Sequence, residues 1–560
     1  MPLTLKTTLF AAASAALALT LAPAPAQACG GTFCDAGPTI MPVDQTGETV
    51  VFWIDETGPE PFTEAHIQIE YEGDAERFAW IIPVSVVPEV LVGSQALFDN
   101  LLQATVPQFV VQNTSIGDCG FGGIGCASMD ASGAREDINL ADDGGNGSGG
   151  PEILDRGFAG AFEYVTLTGD SVDEVVDWLD AAGYAQDPDA PPILEEYLQE
   201  GFVFVAVKLR SGAEVDEIHP LAIRYAGIEP CIPLRLTRIA AVEDMAVRAL
   251  FLGDSRVAPQ NWPHVVINHA RIDYANQAAL SYPEIVSLAI DEAGGRAFVT
   301  EYAGTDAIVP TSGLYNPRWD AAVFEDIEVI AVVDELAKQE LLDCEGGCTF
   351  NHPQVEVLLE TFLPPPAGVD AHEFWACLSC YEEMIDPVAW SSLAFGMALE
   401  DRIITPGQHA LEMLTDASYV TRLFTVISPH EMIDDPLFHE TSGLPTVDST
   451  INATRINDCD GGPTVFELPD GRSIALSESG TMPDLDLPAA ERIEQVPAMG
   501  PPQVEVDNGP TIDAALAAYN DTRMSGPGPN CSVRGVRAEG LFGMLAVFGI
   551  AWLHRGRRRR

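Results

Sequence analysis

The sequence predicts an α+β protein: a β-rich N-terminal body with inserted helices, then a helical, disulfide-stapled part and a Pro-rich stalk. Three observations predict it. Short β-branched and aromatic runs broken by Gly, Pro and Asp fill the first 320 residues. From about Phe324 the apolar period becomes helical. From about Met482 the chain turns Pro-rich and acidic. A hydrophobic content of 47% in 560 residues supplies a core, and enough chain for more than one domain.

Residues 1–28 read as a signal peptide. Lys6 supplies the positive region, Leu9 to Leu21 the apolar stretch, and Ala26-Gln27-Ala28 an A-x-A site with cleavage expected after Ala28. The apolar stretch is too short for a spanning helix, which needs about 20 residues.

The body is expected over residues 29–320. TVVFWI at 49–54 is dense enough for a strand buried on both faces, AHIQIEY at 65–71 alternates like a half-buried strand, and FAWIIPV follows at 78–84. Asp118 to Gly150 is Gly-rich and polar, a long loop with neither the strand-to-helix setting nor the Lys of a phosphate cradle. FEYVTLTGDSVDEVVDWLDAAGY reads as strand, N-cap at Asp170 or Ser171, and amphipathic helix. ILEEYLQEGFVFVAVKLR reads as helix then buried strand. LAIRYAG, CIPLRLTRI, AVRALFLG and HVVINHARIDY look strand-like, and YPEIVSLAIDEAGGRAFVTEYAG gives helix, Gly-Gly turn and strand.

Residues 321–480 are expected to be mainly helical and to pack on the body, through FEDIEVIAVVDELAKQELL, PQVEVLLETFL and HALEMLTDASYVTRLF. Residues 481–530 are expected to form a semi-extended stalk with one short helix at Ile512 to Tyr519. Residues 531–560 form a tail of one cysteine, an apolar segment and an arginine cluster. Gly540 to Leu553 spans 14 residues, about 21 Å of helix against a hydrocarbon core of about 30 Å.

Charge limits the partners. Outside the leader and tail, residues 29–530 carry 20 basic and 83 acidic side chains, a net −63. Such a body repels nucleic acid and anionic lipid. The acidic surface suits Ca²⁺ as a partner, although no D-x-[DN]-x-[DN]-G loop is present and Asn457-Asp458-Cys459-Asp460-Gly461 only approaches one.

Eleven cysteines in an exported chain point to disulfides. Local spacing favours Cys29 with Cys34, Cys119 with Cys126, and two bridges among Cys344, Cys348, Cys377 and Cys380; Cys231 and Cys459 would then close a long loop. Cys531 in the tail is left over, a candidate for sorting or lipid attachment. The CEGGC…CLSC cluster, with His352 and His372 nearby, also has zinc-site spacing. Cys377-Leu-Ser-Cys380 reads as a helix interior with no βαβ unit before it, which argues against thiol redox chemistry.

Several separated blocks resemble one family. CGGTFC at 29–34, MPVDQTGETVVF, AHIQIEYEG, FAWIIPVSVVPEVLVGSQALFDNL, EGFVFVAVKLR, DEAGGRAFVTEYAG and YVTRLFTVISPHEMIDDPLF occur in order from about Cys29 to about Asp460. They resemble the bacterial secreted family called domain of unknown function 2330. The resemblance implies an exported or surface protein and brings no catalytic residue with it. The tail resembles the cysteine-containing sorting signal of myxobacterial exported proteins, though Arg534, Arg537 and Glu539 separate Cys531 from the apolar run. That likeness implies export machinery and a C-terminal sorting protease as partners, and attachment to the cell envelope.

Catalytic signatures are missing. H-E-x-x-H is approached at His372-Glu373 and His430-Glu431 without its second His, and neither G-x-S-x-G nor G-x-x-x-x-G-K-[ST] occurs. His66 reads as a structural histidine, and the i,i+5 spacing of His264 and His269 puts them on opposite faces of a strand. Trp53, Trp80 and Trp178 read as core. No catalytic, cofactor or metal residue is assigned. The expectation is an exported surface protein that is structural or binding, with a secreted hydrolase or a calcium-binding module as alternatives.

Overall fold

The computed structural model describes residues 47–524, apart from residues 57, 69–78, 118–150, 183–189, 212, 214–216, 240, 345–346 and 387–389. The leader with Ala28, the expected Cys29–Cys34 and Cys119–Cys126 bridges, the Gly-rich loop and the tail with Cys531 lie outside the described residues. Among the described residues no helix is long and apolar enough to cross a membrane.

Ten strands make the main sheet: β1 Glu48–Asp55, β2 Phe62–Gln68, β3 Glu89–Val92, β4 Leu221–Ala226, β5 Met245–Gly253, β6 His264–Ile267, β7 Phe298–Thr305, β8 Tyr419–Ile427, β9 Ala490–Gln495 and β10 Gln503–Asp507. They lie in the order β10-β9-β6-β7-β8-β5-β1-β2-β4-β3. The β1–β5 and β6–β7 pairs are parallel and the others antiparallel. Mixed sheets and helices together give the α+β class.

Both faces of the sheet are covered at its centre, which explains the apolar density of its central strands, while edge strand β10 is exposed throughout. Val50, Phe52, Ile54, Ala65 and Ile67 pack against a second sheet of Ala79–Val84, Val203–Leu209, Phe162–Thr168 and Glu152–Ala159. Val51, Trp53, Leu250 and Leu252 pack on the helices Gln95–Thr105 and Thr405–Asp416. The first of these starts at Ser94, whose Oγ accepts the Leu97 N–H at 3.3 Å, and buries Leu97, Phe98 and Leu101. Each such side chain contributes about 2 kcal/mol by leaving water. AHIQIEY, expected to be half-buried, is instead buried on both faces where it forms β2, because the helices cover its second side.

Towards the β10 end, a third sheet of Ser473–Ala475, Val465–Glu467, Thr450–Asp458 and Gln108–Ile116 shares a core with β6, β7, β9 and the helices Ala278–Glu292 and Gly509–Met524. A separate core around Phe324, Leu358, Trp375 and Phe395 holds the helices Val332–Lys338, Pro353–Phe362, Ala371–Ala376 and Ser392–Leu399. Disulfides Cys344–Cys348 and Cys377–Cys380 staple this part. With both pairs closed, none of the four sulfurs is a zinc ligand. His352 instead caps a helix, accepting the Gln354 N–H at 3.2 Å.

Four expectations are corrected. The helical part stops at Asp416, because YVTRLFTVI is a β-branched run that forms β8 at the middle of the sheet, paired on both sides. Of the expected stalk at 481–530, the described residues 481–524 are folded instead: β9 pairs with β6 and β10 with β9, and Leu487, Ala489, Ala490, Ile493, Ile512 and Leu516 are buried. The prolines there interrupt strands rather than extend a linker, and the short helix expected at 512–519 runs from Gly509 to Met524. CIPLRLTRI is not a strand; after a single bridge at Cys231 it makes one helical turn at Leu234–Thr237. The Cys231–Cys459 bridge does not form. Cys231 is a free thiol whose backbone forms an isolated β-bridge with Leu437, whereas Cys459 is disulfide-bonded elsewhere and follows a strand of the third sheet.

Candidate metal centre

Glu64 and His66 are two residues apart on β2, so both project from one face. That face is the one covered by the helix Thr405–Asp416, which carries His409. Strand register places Glu64 between Trp53 of β1 and Arg224 of β4. Gly407 lets the helix settle, because an added Cβ would collide with the Leu314 carbonyl.

The three side chains converge on one oxygen. Glu64 Oε1 lies 2.6 Å from His66 Nε2 and 2.6 Å from His409 Nε2. Glu64 Oε2 accepts the Arg224 Nε–H at 2.6 Å. The Arg224 guanidinium is braced over the Phe62 ring at 4.7 Å and lies 5.9 Å from the Trp53 ring centre. Glu64 and His66 are sealed from solvent, while the His409 side chain is 18% exposed and gives the cluster its opening. Glu89 and Glu412 stand at the rim, 3.8 Å from Arg224 and 3.7 Å from His409.

Burial of Glu64 would favour its neutral form, yet hydrogen bonds from His409 and His66 reverse this and hold the carboxyl well below the usual range. Burial would likewise disfavour the His409 cation, but the contact with Glu64 raises its pKa overall. The carboxylate therefore stays ionised, with one oxygen engaged by Arg224 and the other presented to two imidazoles.

Glu64, His66 and His409 each offer one ligand atom, all within 4.8 Å of one another. Nitrogen and oxygen ligands surround Zn²⁺ at about 2.0–2.2 Å, which puts neighbouring ligand atoms of a tetrahedron about 3.3–3.6 Å apart. Opening each of the two 2.6 Å contacts by about 0.8 Å therefore makes room for an ion. Two histidines and one carboxylate also match the donor set of transition metals rather than of Ca²⁺. Arg224 on the non-ligating oxygen supplies the outer support that fixes a ligand's orientation.

Sequence reasoning took His66 as structural and assigned no metal ligand. The alternation Glu64-x-His66 on a strand was the available local signal. His409 carries no such signal, because it lies 345 residues from Glu64 on a different element. The structure leaves the other expected residues apart from this centre: the two stapled cysteine pairs sit in the helical part, and Cys231 faces the cleft between the main and second sheets. His264 lies on β6, but His269 lies in a 3-10 turn beyond it, so the two do not share a strand.

The profile of a family described as "Uncharacterized protein conserved in bacteria (DUF2330)" matches residues 23–307. No curated protein and no solved structure matches the chain.

Proposed function

This chain belongs to the uncharacterised bacterial family DUF2330, and on that premise we propose that it is an exported surface protein that binds a divalent transition metal through Glu64, His66 and His409. The observation that carries the reading is the convergence of two Nε2 atoms on Glu64 Oε1 in a buried pocket with an acidic rim. Zinc fits the imidazole and carboxylate donors, and three protein ligands leave a position for water. A metal-held water is one nucleophile open to the hydrolase alternative, so that reading can share the site. Ca²⁺ takes six to eight oxygens, so the calcium alternative attaches to the acidic surface and not to this centre.

Export is supported by the signal-like leader ending at Ala28 and by the paired cysteines of the helical part, which suit an oxidising compartment. The tail from Cys531 makes a sorting protease and the cell envelope the proposed partners. Fractionation of native cells with intact mass measurement tests this part. A chain recovered inside the cell with residues 1–28 still attached refutes it.

The metal reading is tested by titrating chelator-treated full-length protein with Zn²⁺ in excess Ca²⁺, and with Co²⁺ followed by visible absorption. One equivalent is expected, with tetrahedral or five-coordinate Co²⁺ bands. His409→Ala, on the half-open side of the cluster, abolishes both while the protein still melts cooperatively. Zinc uptake unchanged in His409→Ala rules the site out.

A further inference from the structure

A second site lies at the far end of the main sheet. β6, β7, β9 and β10, with the segment around Leu444 to Ile451, enclose a cleft of about 540 Å³. It contains two of the few arginines in a chain where acidic groups outnumber basic ones several-fold.

Arg256 is 8% exposed, and no carboxylate among the described residues lies within 4 Å of its guanidinium, although Glu494 acts on it from farther away. Its Nη1 donates to the Pro445 carbonyl at 2.8 Å and its Nη2 to Thr300 Oγ1 at 2.9 Å, both neutral acceptors. Its Nε–H has no hydrogen-bond partner among the described residues. A guanidinium has five N–H donors, so a buried one held by two neutral contacts is under-satisfied and costly. The carboxylate best placed to answer it is otherwise engaged. Glu494 Oε1 lies 3.2 Å from His264 Nδ1, while His264 Nε2 lies 2.9 Å from the Thr300 hydroxyl. Arg492, two residues from Glu494 on β9, stands half-exposed at the mouth, with its Nε 3.8 Å from Glu494 Oε2 but without a hydrogen bond among the described residues.

We propose that this cleft binds an organic monocarboxylate with an apolar body, whose carboxylate pairs with Arg256 and Arg492. The apolar side chains of Leu444, Val447, Ile451 and Val504 line the same cleft and provide for the body. Glu301, Asp448 and Glu494 also line it. Glu301 is neutralised by Arg422 Nε at 2.6 Å and Asp448 Oδ1 accepts the Thr450 N–H at 2.8 Å. With Glu301 paired to Arg422, Arg256 and Arg492 face Glu494 and Asp448 one to one, so a ligand carboxylate is drawn by the unsatisfied N–H donors of Arg256 rather than by surplus charge. A dianion such as phosphate brings twice the charge beside Glu494 and Asp448 and is repelled more strongly than a carboxylate. The site is independent of the Glu64 cluster, on different strands of the sheet.

The test uses chelator-treated full-length protein at neutral pH and constant ionic strength, with hexanoate, hexanamide and inorganic phosphate as probes in calorimetric titrations. Saturable hexanoate binding is expected, with hexanamide and phosphate each weaker by about tenfold or more, the loss of one charge-assisted contact. Arg492→Gln, at the mouth and away from the core, weakens hexanoate by about tenfold and leaves the melting temperature unchanged. Arg256→Gln removes binding if it folds, and Arg492→Gln decides the matter if it does not. Equal binding of hexanamide, displacement of hexanoate by phosphate, or an unaltered affinity in Arg492→Gln overturns the proposal.

Discussion

His219 makes a specific prediction about acid stability. It is buried, with its ring 4.7 Å from that of Phe162. Its Nδ1 donates to the Pro220 carbonyl at 2.9 Å, and its Nε2 accepts the Ala161 N–H at 3.0 Å. Both nitrogens are thereby committed to the neutral ring, and protonation would set an N–H against the Ala161 N–H. Burial, with a smaller push from the Arg402 cation, lowers its pKa from 6.5 to about 4. A folded pKa below the unfolded one means that acid favours unfolding: the contribution is present above 6.5 and is lost as pH falls towards 4. Between pH 7 and pH 5 the linkage amounts to about 2 kcal/mol. The rest of this acidic chain responds in the opposite sense, since protonating carboxylates relieves repulsion. The informative quantity is therefore a difference. His219→Gln retains one donor and one acceptor but does not titrate. Urea midpoints at pH 7 and pH 5 should show wild type losing about 2 kcal/mol more than the variant. The same pH dependence in both proteins would falsify the assignment of a neutral, doubly hydrogen-bonded ring.

Glu301→Gln leaves Arg422, fully buried between β7 and β8, without its counter-charge; a loss of about 3–5 kcal/mol is expected in urea unfolding, and a loss below 1 kcal/mol contradicts the buried pair. Ending the chain after residue 488 removes β9, β10 and the helix Gly509–Met524 and uncovers the edge of β6. The truncated chain is expected to aggregate or to lose its cooperative melt, whereas a melting curve matching the full chain would restore the stalk reading.

Much of the local structure is legible in the sequence because it rests on short-range rules. The TVVFWI strand, the Ser171 cap, the helix before the Gly294-Gly295 turn and the FVFVAV strand fall where periodicity and turn chemistry place them. Failures occur where a neighbour distant in sequence decides the outcome. β8 follows directly on a helix, and its strand state is fixed by β5 and β7 on either side. β9 has the composition of a linker but finds the open edge of β6, where pairing satisfies its backbone and buries Ile493.

The candidate centre divides in the same way. The sequence by itself determined the acidity, the likeness of several blocks to one bacterial family, the α+β class and the stapled cysteine cluster, because composition, spacing and periodicity are properties of neighbours along the chain. Only the tertiary structure decided that Glu64 and His66 meet His409, that Arg256 is buried without a carboxylate in direct contact among the described residues, and that Cys231 stays a free thiol. Those facts depend on which elements pack together, and a buried charge or ligand set is defined by the groups around it in space.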